Sequence, residues 1–243
     1  MDLLQLNLNR IIQWCERFKL NLNVDKCCTV TYTRTLTPLN TSYYIDDHLL
    51  EKKHSMKDLG VWFDAKLTFL PHLDNVCSSS LKSLGFVMRI SKYFSDISLI
   101  KKLYYAYVLS KVEYACLIWC PIYASHAIAL DKIHRRFLKF LSFKVDGIYP
   151  EIGINQLQLL HRHDMVSLSY RRDQSYAKFV YKLLHNQIDC EFLLSKIPIY
   201  VPRISSRSDV SFRPPAARTD VLRRAPVNIM CKAADRIFDD IFA

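Results

Sequence analysis

The sequence predicts an α+β fold that is mostly α, with a small antiparallel sheet and one helix followed by a helical region. Three observations support this prediction. The chain has 243 residues, 50% of them apolar and only four of them glycine, so it can bury a large core without relying on tight glycine turns. Strand-like alternation is confined to the first 65 residues. From Phe69 onward, apolar residues recur with the helical period.

The first region, residues 1–68, predicts one helix and the small sheet. Residues 2–19 predict an amphipathic helix with one apolar face, which carries Leu4, Leu8, Ile11, Ile12 and Cys15. Residues 27–33 alternate like a strand, and residues 43–50 predict a hairpin that turns at Asp46-Asp47-His48. Residues 57–63 predict a further strand, in which Leu59, Val61 and Phe63 form sheet core and Gly60 permits a close backbone approach or a bulge.

The second region, residues 69–197, is predicted to be almost entirely helical. Its candidate helices cover residues 70–93, 97–118, 124–143 and 164–186. Residues 198–226 differ, because five prolines and six arginines predict an extended arm. The last region, 227–243, predicts a C-terminal helix over residues 228–242.

The charge is distributed unevenly along the chain. The net charge is +11, and residues 1–80 hold nine basic and nine acidic residues, so the whole excess lies in residues 81–243. A basic excess in one part of a chain favours a polyanionic partner, and we expect RNA, DNA or an RNA–DNA hybrid.

The cysteines and the apolar segments indicate an intracellular protein, in the nucleus or the cytoplasm. Eight cysteines are scattered without a CxxC spacing, which predicts reduced core thiols, no disulfide framework and no metal site. The residues after Met1 lack the pattern of a signal peptide, and the uncharged stretch 114–130 is broken by Pro121, so we expect no membrane span. The sequence does not determine the oligomeric state.

Six short strings follow one another in a specific order. They are residues 14–27 (WCERFKLNLNVDKC), 57–64 (KDLGVWFD), 67–72 (LTFLPH), 84–86 (LGF), 112–121 (VEYACLIWCP) and 135–138 (RRFL). Their order and spacing resemble the region after the catalytic hairpin in reverse transcriptases of non-LTR (LINE-type, jockey-like) retrotransposons. The resemblance extends over nearly the whole chain and implies the last part of the palm followed by a helical thumb.

The resemblance also bears on Tyr44-Ile45-Asp46-Asp47, which has the Tyr-x-Asp-Asp form of a catalytic turn. Paired carboxylates on such a turn hold two magnesium ions for phosphoryl transfer. In the family this pair precedes the string that here begins at Trp14, whereas Asp46 and Asp47 follow it. We therefore interpret them as an ordinary hairpin turn, a decoy, and expect the catalytic aspartates upstream. The chain alone is predicted to be inactive, and Mg²⁺ is expected only in the intact polymerase.

Two further positions take a role from the resemblance. Lys26 corresponds to a lysine near the incoming nucleotide, where an ammonium group could neutralise phosphate charge; the alternative is a surface lysine at the start of a strand. Gly60 lies in the string that resembles the strand near the primer end.

The helical region offers candidate phosphate ligands without reference to any family. Lys132, Arg135, Arg136 and Lys139 recur at i, i+3, i+4 and i+7, opposite an apolar face. Arg171 and Arg172 form a weaker patch. The alternative for each helix is a charged face that contacts only solvent.

The sequence thus predicts a C-terminal fragment of an RNA-directed DNA polymerase that contributes template–primer binding and lacks the catalytic aspartates. Two alternatives remain. One is a non-catalytic nucleic-acid-binding protein or a non-functional transposon relic. The other is an enzyme with a metal site on Asp46, Asp47 and Asp64.

Overall fold

The chain forms two compact units, Met1–Asp74 and Asn75–Ala243, in the computed structural model. The residues whose structure is described are 3–35, 37, 41–119, 123–201, 211–214, 216, 218–223 and 225–238. Helices dominate and the strands are short, which confirms the predicted α+β, mostly α fold.

The first unit begins with the predicted amphipathic helix, α1 (Leu3–Arg17). One turn of 3-10 helix, Val24–Lys26, follows, and the side-chain oxygen of Asn23 caps it by accepting the backbone N–H of Lys26 at 3.2 Å. Asparagine at this position satisfies a backbone donor that the short helix leaves free. The polar loop after α1 thereby acquires a fixed local structure.

The strands of this unit pair two by two. They are β1 (Cys28–Thr29), β2 (Tyr44–Ile45), β3 (His48–Leu49), β4 (Glu51–Lys52), β5 (Ser55–Asp58) and β6 (Val61–Asp64). Among the described residues, β2–β3 and β5–β6 are antiparallel hairpins, whereas β1 pairs with β4 in parallel. The predicted single antiparallel sheet is therefore replaced by three small pairs, and the strand predicted over 27–33 is only two residues long.

The hairpin predicted over residues 43–50 is confirmed. Asp46 and Asp47 form its turn with φ of 47° and 63°. Positive φ at both central residues is the requirement of the type I′ hairpin turn, and aspartate tolerates it better than most side chains. The Gln5 side chain of α1 accepts from the Tyr44 backbone N–H at 3.0 Å and donates to the Tyr44 carbonyl oxygen at 2.9 Å, which fixes the hairpin on α1.

The strand predicted over residues 57–63 is wrong, because the chain reverses inside it. Leu59 and Gly60 form the turn between β5 and β6 with φ of 44° and 86°. Leu59 is 84% exposed instead of belonging to the sheet core, while Val61 is 2% exposed, as predicted. Gly60 therefore supplies the left-handed turn conformation and not a bulge.

The helices from residue 70 onward carry the rest of the fold. They are α2 (Leu70–Ile90), α3 (Ile97–Tyr104), α4 (Ser110–Glu113), α5 (Cys116–Trp119), α6 (Ala124–Asp146), α7 (Gln156–Arg162), α8 (Leu168–Leu184), α9 (Glu191–Leu194), α10 (Asp220–Arg223) and α11 (Pro226–Ile237). Together with the 3-10 turn Ser91–Tyr93, α2 confirms the helix predicted over 70–93. None of the helices in the described ranges is long and apolar enough to cross a membrane.

Two of the predicted helices are interrupted. The helix predicted over 97–118 contains a π-helical turn, Tyr105–Leu109, and then breaks at Ala115, whose φ is 52°. The helix predicted over 164–186 starts later, as α8, because Asp164 has a φ of 48° and the hydroxyl of Ser167 caps the new helix by accepting the Tyr170 N–H at 3.2 Å. Apolar periodicity continues across both breaks, so it does not reveal them.

The longest helix of the second unit, α6, extends three residues beyond its predicted end. It stops at Gly147, which takes φ of 73° and donates its N–H to the Phe143 carbonyl oxygen at 2.8 Å. This left-handed cap is the typical role of a glycine that follows a helix.

The C-terminal part packs around α8 and α11. Its buried cluster is formed by Ala177, Val180, Phe212, Cys231 and Ala234. Phe212 is 1% exposed and forms a β-bridge with Ile199, so this residue of the arm predicted over 198–226 is extended but buried. The prediction is wrong for Asp220–Arg223, which form α10. Residues 202–210 of the predicted arm, and 239–242 of the predicted C-terminal helix, lie outside the described residues.

Candidate nucleic-acid interface

The face of α6 that the sequence predicts to bind phosphates carries exposed cationic side chains. Lys132 and Arg136 are exposed and Lys139 is half-buried, at positions i, i+4 and i+7 of one helix. The opposite face buries Leu130, Phe137, Leu138 and Leu141, each completely. The helix is therefore anchored by one face while the other presents its positive charge to solvent.

Arg135, predicted to belong to the same stripe, is instead directed at the protein. Its guanidinium Nη2 donates to the Ile154 carbonyl oxygen at 2.5 Å. Lys139 makes a second contact with the same loop, from Nζ to the Glu151 carbonyl oxygen at 3.4 Å. These two side chains hold the loop that follows α6 against the helix.

A buried polar pair fixes the position of α6 against α3. The Tyr104 hydroxyl lies 2.7 Å from His134 Nδ1, and the Tyr104 ring stacks on Phe137 with centroids 3.7 Å apart and 6° between the planes. Burial lowers the pKa of His134 to about 4; a backbone hydrogen bond with Val166 opposes this lowering, and the charge of Arg171 adds a smaller one. The imidazole is therefore neutral at physiological pH.

A second polar contact joins α6 to the segment after α7. The Ser142 hydroxyl lies 2.7 Å from His163 Nε2, and Lys101 of α3 donates to the His163 carbonyl oxygen at 2.5 Å. Burial lowers the pKa of His163, so this imidazole too is held neutral. Both contacts give α6 a defined position in the unit.

Arg171 and Arg172, the predicted weaker patch, are both engaged in packing. Arg171 forms a two-pronged ion pair with Glu113, with Nη2 and Oε2 2.9 Å apart, and its guanidinium carbon lies 5.7 Å from the centroid of the Tyr105 ring. Hydrogen bonding to Glu113 raises the pKa of Arg171. Arg172 is 9% exposed. Sequence alone could not show this, because Glu113 lies 58 residues before its partner.

The two positions assigned from the palm-like resemblance lie on the surface of the first unit. Lys26 is exposed in the 3-10 turn, and Gly60 is exposed in the turn between β5 and β6. Both belong to the first unit, whereas the α6 stripe belongs to the second, and their roles stay predictions.

The carboxylates weighed as a metal site are used differently. The Asp64 carboxylate accepts the backbone N–H groups of Phe69 at 2.7 Å and Thr68 at 2.9 Å, and these bonds lower its pKa although burial opposes them. Asp46 and Asp47 are exposed on their turn. Across the described part of the chain, no group of three or more His, Cys, Asp or Glu residues is placed to hold a metal ion.

Comparison with curated proteins gives three similar sequences. The chain is 34% identical over 71 residues to the probable RNA-directed DNA polymerase from transposon BS of Drosophila melanogaster, which is 29% of this chain and 8% of that protein. It is also 32% identical over 73 residues, 30% of this chain, to the RNA-directed DNA polymerase from mobile element jockey of Drosophila melanogaster. The jockey polymerase of Drosophila funebris is 32% identical over 75 residues, 31% of this chain, and each match covers 8% of the relative. The chain is related to non-LTR retrotransposon reverse transcriptases.

The similarity to these reverse transcriptases is partial. The matched segment spans about 8% of the length of each relative. No protein-family model matches the chain, and no solved structure matches it. The similarity thus covers about 30% of this chain and a small part of the much longer jockey-type polymerases.

Aromatic side chains beside the α6 stripe were missed by the sequence analysis. Phe143 follows Lys139 by four residues and therefore lies on the same helical face, and its ring centroid is 6.1 Å from that of Tyr149. The helical spacing could have identified Phe143. The position of Tyr149 depends on the fold of the loop and has no local signal.

Proposed function

We propose that this chain contributes template–primer binding to a non-LTR retrotransposon reverse transcriptase, with the catalytic aspartates supplied outside these residues. The single observation that carries the proposal is one face of α6, where Lys132 and Arg136 are exposed and Lys139 is half-buried, opposite a face that is buried in the protein. Three cations at this spacing can contact successive phosphates without reading the bases. The similarity to jockey-type polymerases indicates which polyanion to expect at this face, an RNA–DNA hybrid.

An uncovered apolar face on α1 supports the part of the proposal that concerns a larger polymerase. Ile11 and Trp14 of α1 and Phe18, which follows its last residue, are 53%, 54% and 57% exposed, and the ring centroids of Trp14 and Phe18 lie 4.9 Å apart. Large apolar side chains in one exposed stripe usually mark a contact surface. We assign this stripe to contact with the remainder of the palm.

The proposal leaves catalysis and metal binding to the intact enzyme. Asp64 is occupied by the backbone N–H groups of the loop before α2, so it does not complete a carboxylate set with Asp46 and Asp47. We infer that Mg²⁺ binds the full polymerase and not this chain alone. We also expect the protein to act on nucleic acid inside the cell.

The test is a binding titration with a labelled RNA–DNA hybrid at several salt concentrations. The double variant Lys132→Glu with Arg136→Glu should weaken binding by at least about tenfold and reduce the slope of log K against log salt by about 2. The matched control is Lys178→Glu with Lys232→Glu, which makes the same change in net charge at two exposed lysines on α8 and α11. Equal losses in both double variants, or no loss in the first, would refute the proposal.

A further inference from the structure

Exposed apolar side chains border the cationic face of α6 at its C-terminal end. They belong to the last turn of α6, to the loop after it and to the start of α7, and we call them the apolar rim: Phe143, Ile148, Tyr149, Ile152 and Leu157. Their exposed fractions run from 40% for Phe143 to 103% for Ile152. A patch of this kind on a folded unit usually marks a binding surface.

The rim continues the line of the cationic side chains. Phe143 lies four residues after Lys139 and seven after Arg136, so all three share one helical face. From Lys132 to Phe143 the helix advances about 16 Å, a length that accommodates two or three nucleotides of an extended strand. The cations and the Phe143–Tyr149 pair are thus spaced like the phosphates and bases of one short segment.

The rings are held in place and do not depend on a ligand for their position. Gly147 turns the chain with φ of 73°, and the loop then returns along α6, where Arg135 binds the Ile154 carbonyl oxygen. An ion pair between Arg162 and Asp146 joins α7 to the end of α6. Binding therefore requires little additional ordering of the loop.

We propose that this surface binds an unpaired nucleic-acid strand, with phosphates at Lys132, Arg136 and Lys139 and at least one base stacked on the Phe143–Tyr149 pair. The inference rests on the proposed function and adds to it a preference for a single strand over a duplex at this surface. In a duplex the bases are already stacked on one another and offer no face to a ring, whereas unpaired bases gain from an aromatic surface. The positive charge beside the rim selects a polyanion over a neutral apolar partner.

The experiment compares two labelled ligands of about twelve nucleotides, a single strand and a blunt RNA–DNA hybrid, at one salt concentration. Tyr149→Leu keeps an apolar side chain and removes the ring, so it should weaken single-strand binding by at least about fivefold and leave hybrid binding within about twofold. Phe192→Leu is the matched control, since Phe192 is a 69% exposed aromatic residue on α9; it should change neither.

The outcomes separate the two proposals. If wild type binds neither ligand, the proposed function itself fails. If wild type binds both and Tyr149→Leu weakens both equally or neither, the stacking surface is refuted while phosphate binding stands. Tyr149→Trp gives an independent readout: single-strand addition should quench its fluorescence relative to wild type, and an unchanged spectrum at saturation would also overturn the inference.

Discussion

Acidification is expected to destabilise the helical unit, because His134 is buried as a neutral imidazole between α3 and α6. Its side chain is completely buried, and the Tyr104 hydroxyl contacts its Nδ1 at 2.7 Å. Protonation would place a charge in this apolar site, with the cation of Arg171 adding to the penalty. The folded state therefore resists the proton that the unfolded chain accepts.

The sign and size follow from the two pKa values. The pKa of His134 is about 4 in the folded chain and about 6.5 when exposed, so between these values the unfolded state binds more protons. The free energy of unfolding falls as the pH falls through this window and levels off below about pH 4. The pKa of His134 is lowered by about 2.5, which corresponds to a loss of about 3 kcal/mol in the free energy of unfolding once the pH is below both values.

The measurement is chemical denaturation at a series of pH values from about 7 to about 4. His134→Gln retains a polar group beside Tyr104 but does not titrate, so its unfolding free energy should fall less over the same range. His163 and every exposed group titrate equally in both proteins and cancel in the difference. A parallel pH dependence for wild type and His134→Gln would refute the assignment of a neutral buried imidazole.

Three further outcomes are expected. Glu113→Gln removes the charge that Arg171 binds and should lower the stability of the helical unit by about 1–3 kcal/mol, measured by urea denaturation; no change would mean that the pair contributes nothing. Asp64→Ala leaves the N–H groups before α2 without their acceptor and should lower the free energy of unfolding by about 1 kcal/mol. On acidification this variant should lose less stability than wild type, because the lowered pKa of Asp64 no longer contributes to the pH dependence. Asp46→Asn with Asp47→Asn should leave primer extension at the background of the unaltered chain with Mg²⁺ present; any activity that this double variant abolishes would contradict their assignment to a plain turn.

Regular periodicity made the long helices predictable, whereas backbone reversals did not show in the pattern. The apolar spacing of α6 located it correctly, and only its end, fixed by Gly147, lay further on. The segment around Leu59 resembles a strand because its apolar residues alternate, yet a leucine with positive φ starts a turn there. Leucine rarely adopts this conformation, and the pairing of β5 with β6 selects it here. The local sequence pattern carries no information about that pairing.

The candidate site was predictable in part for the same reason. The stripe of cations on α6 follows from spacing alone, and of its four members Lys132 and Arg136 are exposed and Lys139 is half-buried. Arg135 and Arg171 differ because their partners, Ile154 and Glu113, come close only after folding. Sequence spacing identifies which charges share a helical face, but it does not identify which of them the protein uses for itself.

The π-helical turn at Tyr105–Leu109 has a consequence for insertions and deletions. Such a turn accommodates one residue more than an α-helical turn and leaves the residues before and after it on the helical faces of a regular helix. Deleting a single residue there would therefore join α3 and α4 into one regular helix and keep Glu113 on the side that faces Arg171. A further inserted residue would exceed what the turn accommodates, and every later side chain of that helix would rotate by about 100° about its axis. The ion pair between α4 and α8 would then be lost although both residues remained in the sequence. This segment therefore tolerates the loss of one residue better than the gain of one.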